Sequence, residues 1–298
     1  MDSFISWVGG KRLLRKEIIK RFPEEGVEKY VEPFGGAAWV LFGKEPHKKE
    51  VYNDINGELV NLFRMAKHHP EALEQEVGMM LNSREEFFRQ RDMKTETMTE
   101  LQRAARMFCL IRASYGAKLT TFGVGFKDVS TIKNLQVVHK RLGKVLIEKK
   151  GFPEILKGHD SEGTLFFLDP PYHGTEGFYE IEGGFGEEEH RQLAEMLKGL
   201  KGKWLLSYND DDFIRGLYEG FRIEEVERMN NMGGCKRREE DVQGTDYSEL
   251  LKDGVARPFL LYVRYTLLKL APPNCSRITF AIRPSGCVIF TGNCSFFS

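Results

Sequence analysis

The chain has 298 residues, of which 41% are hydrophobic and 30% charged, so it can form one large or two modest domains with a buried core. Its 44 basic and 44 acidic residues cancel, which argues against a general nucleic-acid binder. No apolar stretch of 18 residues is uninterrupted and no signal-peptide core is seen, so we expect no membrane-spanning helix and a cytoplasmic protein.

The first predicted unit covers residues 31–42 and contains a short strand, a turn with Gly35 and Gly36, and the start of an apolar helix. A second strand ends at Asp54, 18 residues beyond Gly36. Glycines at such a turn let a ligand approach the backbone, and an acid after the next strand can accept hydrogen bonds from ribose hydroxyls. The glycine patterns that bind dinucleotides or triphosphates are absent. The unit therefore predicts a site for a nucleoside ligand that carries no phosphate.

The stretch 57–150 has a mostly helical pattern, because apolar residues recur at helical spacing from Leu59 to Ala66 and from Leu101 to Cys109. Residues 101–150 carry eleven Lys and Arg but only two acids, which favours a surface that faces DNA phosphates over a merely solvated helix face. A Gly-rich run at 115–125 lacks helical character and predicts a projecting hairpin or loop.

An apolar run at 164–168 predicts a buried strand, and it is followed by Asp169, Pro170, Pro171 and Tyr172, called here the Asp-Pro-Pro-Tyr motif. Proline cannot donate to a sheet ladder and restricts the residue before it, so the strand stops and Asp169 is held in one backbone state. In an open α/β sheet this edge binds ligands. The motif is therefore expected to be a rigid part of a binding site, although Asp-Pro also occurs in ordinary turns.

The second half of the chain predicts a helix at 187–199, with acids in its first turn, and a buried strand at 204–207 that we interpret as simple core. His173 follows the Asp-Pro-Pro-Tyr motif, and we interpret it as an incidental surface residue outside the catalytic set.

Four blocks together resemble the Dam-type adenine-N6 DNA methyltransferases, particularly phage-type members, which use S-adenosylmethionine. They are Trp-Val-Gly-Gly-Lys at 7–11, Glu-Pro-Phe-Gly-Gly at 32–36, Asn-Asp-Ile-Asn at 53–56 and the Asp-Pro-Pro-Tyr motif at 169–172. Residues 206–210 and 247–251 resemble later blocks of that family. The chain departs from the family at Ala38, where the glycine turn often has a further glycine, and the residues after Leu251 match no block.

The resemblance implies an α/β fold: a Rossmann-like S-adenosylmethionine-dependent methyltransferase sheet with an inserted, mainly helical DNA-recognition domain. It implies S-adenosylmethionine as the methyl donor and double-stranded DNA as the partner. The cofactor-binding residues that it implies are Trp7, Lys11, Phe34, Gly36, Asp54 and Asp169. Lys11 has the charge to pair with the methionine carboxylate. Methyl transfer needs no metal, so we expect no metal site, including at the acidic turn 209–212.

The predicted catalytic residues are Asp169, Pro170, Pro171 and Tyr172. Adenine N6 is a poor nucleophile because its lone pair is delocalised into the ring. Asp169 and the Pro170 carbonyl can each accept one N6 hydrogen, which favours a tetrahedral nitrogen with its lone pair free to react. Tyr172 can supply a stacking face for a flipped base.

Arg112 and Lys118 are the predicted DNA contacts. Arg112 matches an arginine near the recognition hairpin of related enzymes, and we favour a phosphate as its partner, because phosphate contacts outnumber base contacts in most interfaces. The recognition stretch is shorter here than in Dam-like relatives, so the target sequence cannot be carried over.

We expect residues 1–56 and 151–270 to form the catalytic domain, 57–150 the DNA-recognition insertion, and 271–298 an atypical apolar tail. The protein is expected to be a monomer from a bacterium or a phage within a bacterial host, with the tail as a route to association. Cytosine-N4 transfer and a catalytically silent DNA-binding relative are the alternatives. An RNA or protein methyltransferase would usually lack the insertion, and a Rossmann oxidoreductase would need the missing glycines.

Overall fold

The computed structural model describes residues 1–123, 128–174, 184–229 and 259–266, and these contain ten α-helices and seven β-strands. The helices are α1 Arg15–Ile19, α2 Trp39–Gly43, α3 Gly57–His68, α4 Pro70–Gly78, α5 Arg84–Asp92, α6 Glu100–Ala113, α7 Leu135–Leu142, α8 Phe152–His159, α9 Glu187–Lys198 and α10 Asp212–Leu217. The strands are β1 Lys29–Glu32, β2 Lys49–Asn53, β3 Val145–Glu148, β4 Thr164–Leu168, β5 Lys203–Asn209, β6 Arg222–Met229 and β7 Phe259–Thr266.

The strands form one sheet in the order β3-β2-β1-β4-β5-β7-β6, and every pair of neighbours is parallel. The predicted α/β fold is confirmed. Because β1 lies between β2 and β4, the carboxyl ends of these three strands meet at the same edge. The glycine turn, Asp54 and the Asp-Pro-Pro-Tyr motif all follow these ends.

Both faces of the sheet are buried, because successive residues of a strand point to opposite faces. In β4, Leu165 and Phe167 belong to the core cluster on one face, with α1 to α4, α6 and α7, while Phe166 and Leu168 belong to the cluster on the other, with α8, α9 and α10. This two-sided packing explains why residues 164–168 read as a continuous apolar run.

Several helices begin where a side chain satisfies the first free backbone N–H groups. Asn56 accepts from two amides at the start of α3, and Thr99 and Gln102 form a capping box at the start of α6. The helix predicted at 187–199 is confirmed as α9, and the strand predicted at 204–207 is part of β5. Of the run 115–125, residues 115–123 are described. A 3₁₀ turn at Tyr115–Ala117 lies between Ser114 and Phe122, which form an antiparallel bridge, as a hairpin requires.

The stretch 57–150 is mainly helical, as predicted, but it also contains β3, which pairs with β2 at the edge of the sheet. Helices α3, α4, α6 and α7 share a hydrophobic core with one face of the sheet. The extent of a DNA-recognition insertion therefore stays a prediction, and β3 belongs by its hydrogen bonds to the sheet.

The block at 247–251 and the apolar tail at 271–298 lie outside the described residues. Within the described part of the chain, none of the helices has the length and hydropathy that crossing a membrane requires.

Candidate active site

A cavity of about 320 Å³ opens at the carboxyl edge of the sheet, between the ends of β1, β2 and β4. Its lining comes from segments far apart in the chain and brings together most of the residues predicted for cofactor binding and catalysis. The predicted residues that line it are Trp7, Lys11, Phe34, Gly36, Asp54, Lys118, Asp169 and Pro171.

The glycine turn packs so closely on β2 that a side chain does not fit there. Gly35 N–H donates to the Asn53 carbonyl at 2.7 Å, and a Cβ on Gly35 would overlap the Tyr52 ring. Gly36 has φ of +48°, and its Cβ position would lie 3.2 Å from the Trp7 ring. Ala38, the departure from the family pattern, has φ of +54°, a left-handed conformation that glycine adopts more easily. Ala38 therefore adopts this left-handed conformation although it carries a side chain.

Asp54 is held by backbone donors on both carboxylate oxygens. Gly36 N–H donates to Oδ2 at 2.8 Å and Asn56 N–H donates to Oδ1 at 2.9 Å. Burial raises the pKa of the Asp54 carboxyl, although these backbone hydrogen bonds oppose the increase. The side chain is thus fixed at the cavity wall and ties the glycine turn to the start of α3.

Asn53, one residue earlier, fastens the loops around the cavity. Its buried side chain donates to the Pro33 carbonyl at 2.8 Å and to the Lys150 carbonyl at 2.9 Å, and accepts from Lys150 N–H at 2.9 Å. One amide group therefore holds together the ends of β1, β2 and β3.

Asp169 contacts two side chains. The Lys11 ammonium lies 2.6 Å from each of its carboxylate oxygens and also donates to the Gly9 carbonyl at 2.9 Å. The fully buried Ser207 hydroxyl, on β5, donates to Asp169 Oδ1 at 2.7 Å. Lys11 was predicted to bind the cofactor, and it lines the cavity, but its ammonium contacts the Asp169 carboxylate, which was predicted to be catalytic. The partnership with Ser207 was not predicted.

Pro170 and Pro171 are buried, and the Tyr172 side chain is 8% exposed. The Tyr172 ring lies 6.0 Å from the Tyr208 ring, and the Lys11 ammonium lies over it at 4.8 Å from its centroid. Lys11 therefore contacts both Asp169 and Tyr172, the first and last residues of the motif.

The residues behind the motif form a second polar group. Asn209 Nδ2 donates to the His173 carbonyl at 3.1 Å, and the His173 ring contacts Asp211 at 3.0 Å. Asp211 also caps α10. His173 is half-buried and takes part in this group, so it is not an incidental surface residue. Among the described residues, no three potential metal ligands come together.

Two further features of the cavity were not predicted. Phe34, Phe152 and Phe185 line it with their rings 5.6 to 6.0 Å apart, which gives one wall an aromatic surface. Glu32, at the end of β1, is buried and accepts from the Tyr30 hydroxyl at 2.7 Å. Burial raises the pKa of Glu32 to about 7.

The basic stretch is only partly available to DNA. Arg103 pairs with Glu58, Arg141 pairs with Glu50, and the buried Arg106 donates to two backbone carbonyls. Arg112, in the last turn of α6, donates to the Asp128 carbonyl at 3.1 Å. Of the predicted DNA contacts, Arg112 precedes the hairpin, and Lys118 lies within the hairpin and lines the cavity.

Comparison with known proteins decides the family. The profile of the D12 class N6 adenine-specific DNA methyltransferases matches residues 7–232, which include both walls of the cavity. The chain belongs to this family. The resemblance stated from the four sequence blocks is confirmed, and this methyltransferase acts on adenine in DNA. Nothing in the comparisons favours the cytosine-N4 alternative or a silent relative.

Its relatives cover most of its length. The type II methyltransferase M.MjaIII of Methanocaldococcus jannaschii is 29% identical over 276 residues, covering 79% of this chain and 95% of the relative. The type II methyltransferase M1.LlaDCHI of Lactococcus lactis is 28% identical over 262 residues, covering 77% and 89%. The DNA adenine methylase of Haemophilus influenzae is 24% identical over 247 residues, covering 75% and 85%. Enzymes of this class use S-adenosylmethionine as methyl donor.

Proposed function

We propose that this methyltransferase carries out methyl transfer to adenine N6 in the cavity between the glycine turn and the Asp-Pro-Pro-Tyr motif. The observation that carries the proposal is the meeting of Asp54 and Asp169, 115 positions apart in the sequence, in one cavity with a glycine turn between them. Asp54 can accept hydrogen bonds from the ribose of a nucleoside, and Asp169 can accept one from an amino group. The reaction needs both groups in one place.

The cavity residues fit S-adenosylmethionine. A volume of about 320 Å³ lies within the usual range for a small-molecule site. The absence of side chains at Gly35 and Gly36 lets the ligand approach the backbone beside Trp7. Asp54 would accept from the ribose hydroxyls, the Phe34, Phe152 and Phe185 wall would contact the adenine ring, and Lys11 would pair with the methionine carboxylate.

When bound, S-adenosylmethionine supplies an activated methyl group on sulfonium sulfur. Asp169 and the Pro170 carbonyl each accept one N6 hydrogen of the target adenine, which localises the nitrogen lone pair and directs it at the methyl carbon. Pro171 fixes the backbone of Pro170, so its carbonyl needs no rearrangement before it accepts. After transfer N6 loses one proton, and the Asp169 carboxylate lies where that proton leaves.

The target base has to leave the duplex to reach Asp169. We assign Tyr172 as its stacking partner, on the face that the Lys11 ammonium now covers. Lys11 therefore withdraws when the base enters. Base flipping costs a few kcal/mol, and stacking on an aromatic ring recovers about 1 to 3 kcal/mol of it.

Duplex DNA would approach over the hairpin beside the cavity, with Arg112 on a phosphate and Lys118 at the cavity opening. Arg112→Ala should weaken binding to target and random duplexes alike and reduce the salt slope by about one unit. Titrations across a salt series measure this. A loss of about 1 to 3 kcal/mol on the target duplex alone would instead show that Arg112 contacts a base.

The proposal is tested by sequencing DNA from a strain that lacks its own adenine methylation and expresses this protein. Long-read sequencing should show N6-methyladenine at one short motif with the native chain, and none with Asp169→Ala at equal protein level. Methylation by the Asp169→Ala variant at the same motif would refute the role of the Asp-Pro-Pro-Tyr motif.

A further inference from the structure

Strand β5 contacts the Asp-Pro-Pro-Tyr motif and the following His173 through three consecutive residues. Strands β4 and β5 are in register up to Leu168 and Leu206, so residues 207–209 continue beside the motif after Pro170 has ended the ladder. The three contacts are Ser207 with Asp169, Tyr208 with Tyr172, and Asn209 with His173. The apolar pattern of residues 204–207 predicts simple core and does not predict these contacts.

We propose that Ser207 is a positioning residue for methyl transfer, and that it determines which oxygen of Asp169 faces the target amino group. The inference rests on the proposed function, because it acts through Asp169. Ser207 itself does not touch the base.

The hydroxyl proton of Ser207 has two candidate acceptors. Asp169 Oδ1 lies at 2.7 Å, and the Leu168 carbonyl oxygen lies at 3.4 Å. A hydroxyl has only one proton to donate, and the shorter bond to a carboxylate is the stronger. Ser207 therefore donates to Asp169 and occupies Oδ1.

The two partners of Asp169 differ in how easily a ligand can displace them. Lys11 lines the cavity on a flexible chain and reaches both carboxylate oxygens. Ser207 is fully buried, and its strand is hydrogen-bonded to β4 on one side and β7 on the other. When the base enters and Lys11 withdraws, Ser207 stays on Oδ1. Oδ2 is then the oxygen that accepts the N6 hydrogen.

The contact has a catalytic consequence because the carboxylate can otherwise rotate about its Cβ–Cγ bond. With Oδ1 held, Oδ2 is preorganised at the reacting nitrogen. Loss of the hydroxyl should therefore lower kcat and leave cofactor affinity unchanged, since neither the glycine turn nor Asp54 contacts Ser207.

The test compares two variants of equal shape in the full-length protein. Ser207→Thr keeps the hydroxyl and Ser207→Val replaces it with a methyl group, and both suit a strand. Thr164→Val is the matched control, because Thr164 is also fully buried and hydrogen-bonded but lies at the opposite end of β4. For each variant we would measure kcat and KM on long unmethylated duplex DNA, the Kd of S-adenosylhomocysteine by calorimetry, and the thermal unfolding transition.

The expected result is a kcat for Ser207→Val that is about ten- to a hundredfold below that of Ser207→Thr. S-adenosylhomocysteine affinity should be equal in the two, and Thr164→Val should keep wild-type kcat. Equal kcat values for the Thr and Val variants would overturn the inference, as would a loss of kcat matched by an equal loss of cofactor affinity. If Val fails to fold, Ser207→Ala against Ser207→Thr gives the same comparison.

The proposed function and this inference fail in different ways. Activity of Asp169→Ala would remove the proposed function and the inference with it. An inactive Asp169→Ala together with a fully active Ser207→Val would leave the proposed function intact and remove only the role of Ser207.

Discussion

Asp169 and Asp54 face the same cavity from the ends of β4 and β2, which lie on either side of β1, but they are held in opposite ways. The partners of Asp169 are the side chains of Lys11 and Ser207, whereas those of Asp54 are the backbone amides of Gly36 and Asn56. A lysine side chain can withdraw, but a backbone amide moves only with its loop. We therefore expect Asp169 to exchange partners during the reaction and Asp54 to keep its backbone hydrogen bonds throughout.

The largest effect is expected on kcat, from substitution of Asp169. Asp169→Ala should lower kcat by about a thousandfold or more, because it removes the acceptor at the reacting nitrogen. Labelled methyl transfer to unmethylated duplex DNA measures this. Cofactor affinity should fall much less, since the Asp54 contacts remain. Near-normal turnover by a folded variant would contradict the assignment.

This substitution also leaves the buried Lys11 ammonium without its carboxylate, which destabilises a fold. The double variant Asp169→Ala with Lys11→Met removes both charges and serves as the control. It should recover thermal stability while staying inactive, so that the loss of turnover is separated from the loss of stability.

Substitution of Asp54 should mainly lower the affinity for the cofactor. Asp54→Ala removes the proposed ribose acceptor and two backbone hydrogen bonds, so the Kd of S-adenosylhomocysteine should rise at least about tenfold, as expected for a charge-assisted hydrogen bond of about 1.5 to 3 kcal/mol. Calorimetry measures it, and Asp54→Asn, which keeps one oxygen, should lie in between. Unchanged affinity would place Asp54 outside the cofactor site.

Glu32 is a third acidic residue that lines the cavity, and it tests whether burial of a carboxyl group makes the free energy of unfolding depend on pH. Its pKa is about 7 when folded against an ordinary 4.5, so the folded protein binds an extra proton between these values. Its contribution is fully present below about pH 4.5 and is lost as the pH rises through about 7. Urea unfolding should show a fall of about 2 kcal/mol from pH 5 to 7 that Glu32→Gln removes. Equal pH slopes in both proteins would refute the shift.

The smallest effect is expected at Ala38, in the glycine turn that forms part of the cavity wall. Ala38→Gly relieves a left-handed backbone but deletes a buried methyl group, so the free energy of unfolding should change by less than about 1 kcal/mol. Gly35→Ala, three residues before Ala38, should cost about 1 to 3 kcal/mol because its Cβ overlaps Tyr52. Denaturant midpoints compare the two. A larger cost for Ala38→Gly would show that the alanine is required.

The sequence predicted those parts of the site that rest on local chemistry. Proline ends β4 where the pattern places it, and the glycine turn and Asp54 lie beside each other because parallel strands of this spacing end at one edge. The contact between Ser207 and Asp169 could not be predicted, since it depends on the register between strands whose residues are 38 positions apart.

The charge pattern overcounted the free basic residues for a related reason. Arg103 and Arg141 were counted as surface charge because their partners, Glu58 and Glu50, lie outside the window 101–150. An ion pair formed across the fold leaves no trace in a local count. The strand β3 was missed because four residues are too few to show alternation.

The amide of Asn53 has a consequence for how the cavity arises during synthesis. It donates to the carbonyls of Pro33 and Lys150, so these two hydrogen bonds join the beginning of the chain to its middle. The ribosome makes β1, the glycine turn and Asp54 early, but the hydrogen bond from Asn53 to Lys150 cannot form until residue 150 has emerged. We therefore expect the proposed methyl-donor site to form only after the whole helical stretch has been translated, because the Lys150 carbonyl that Asn53 binds is made last.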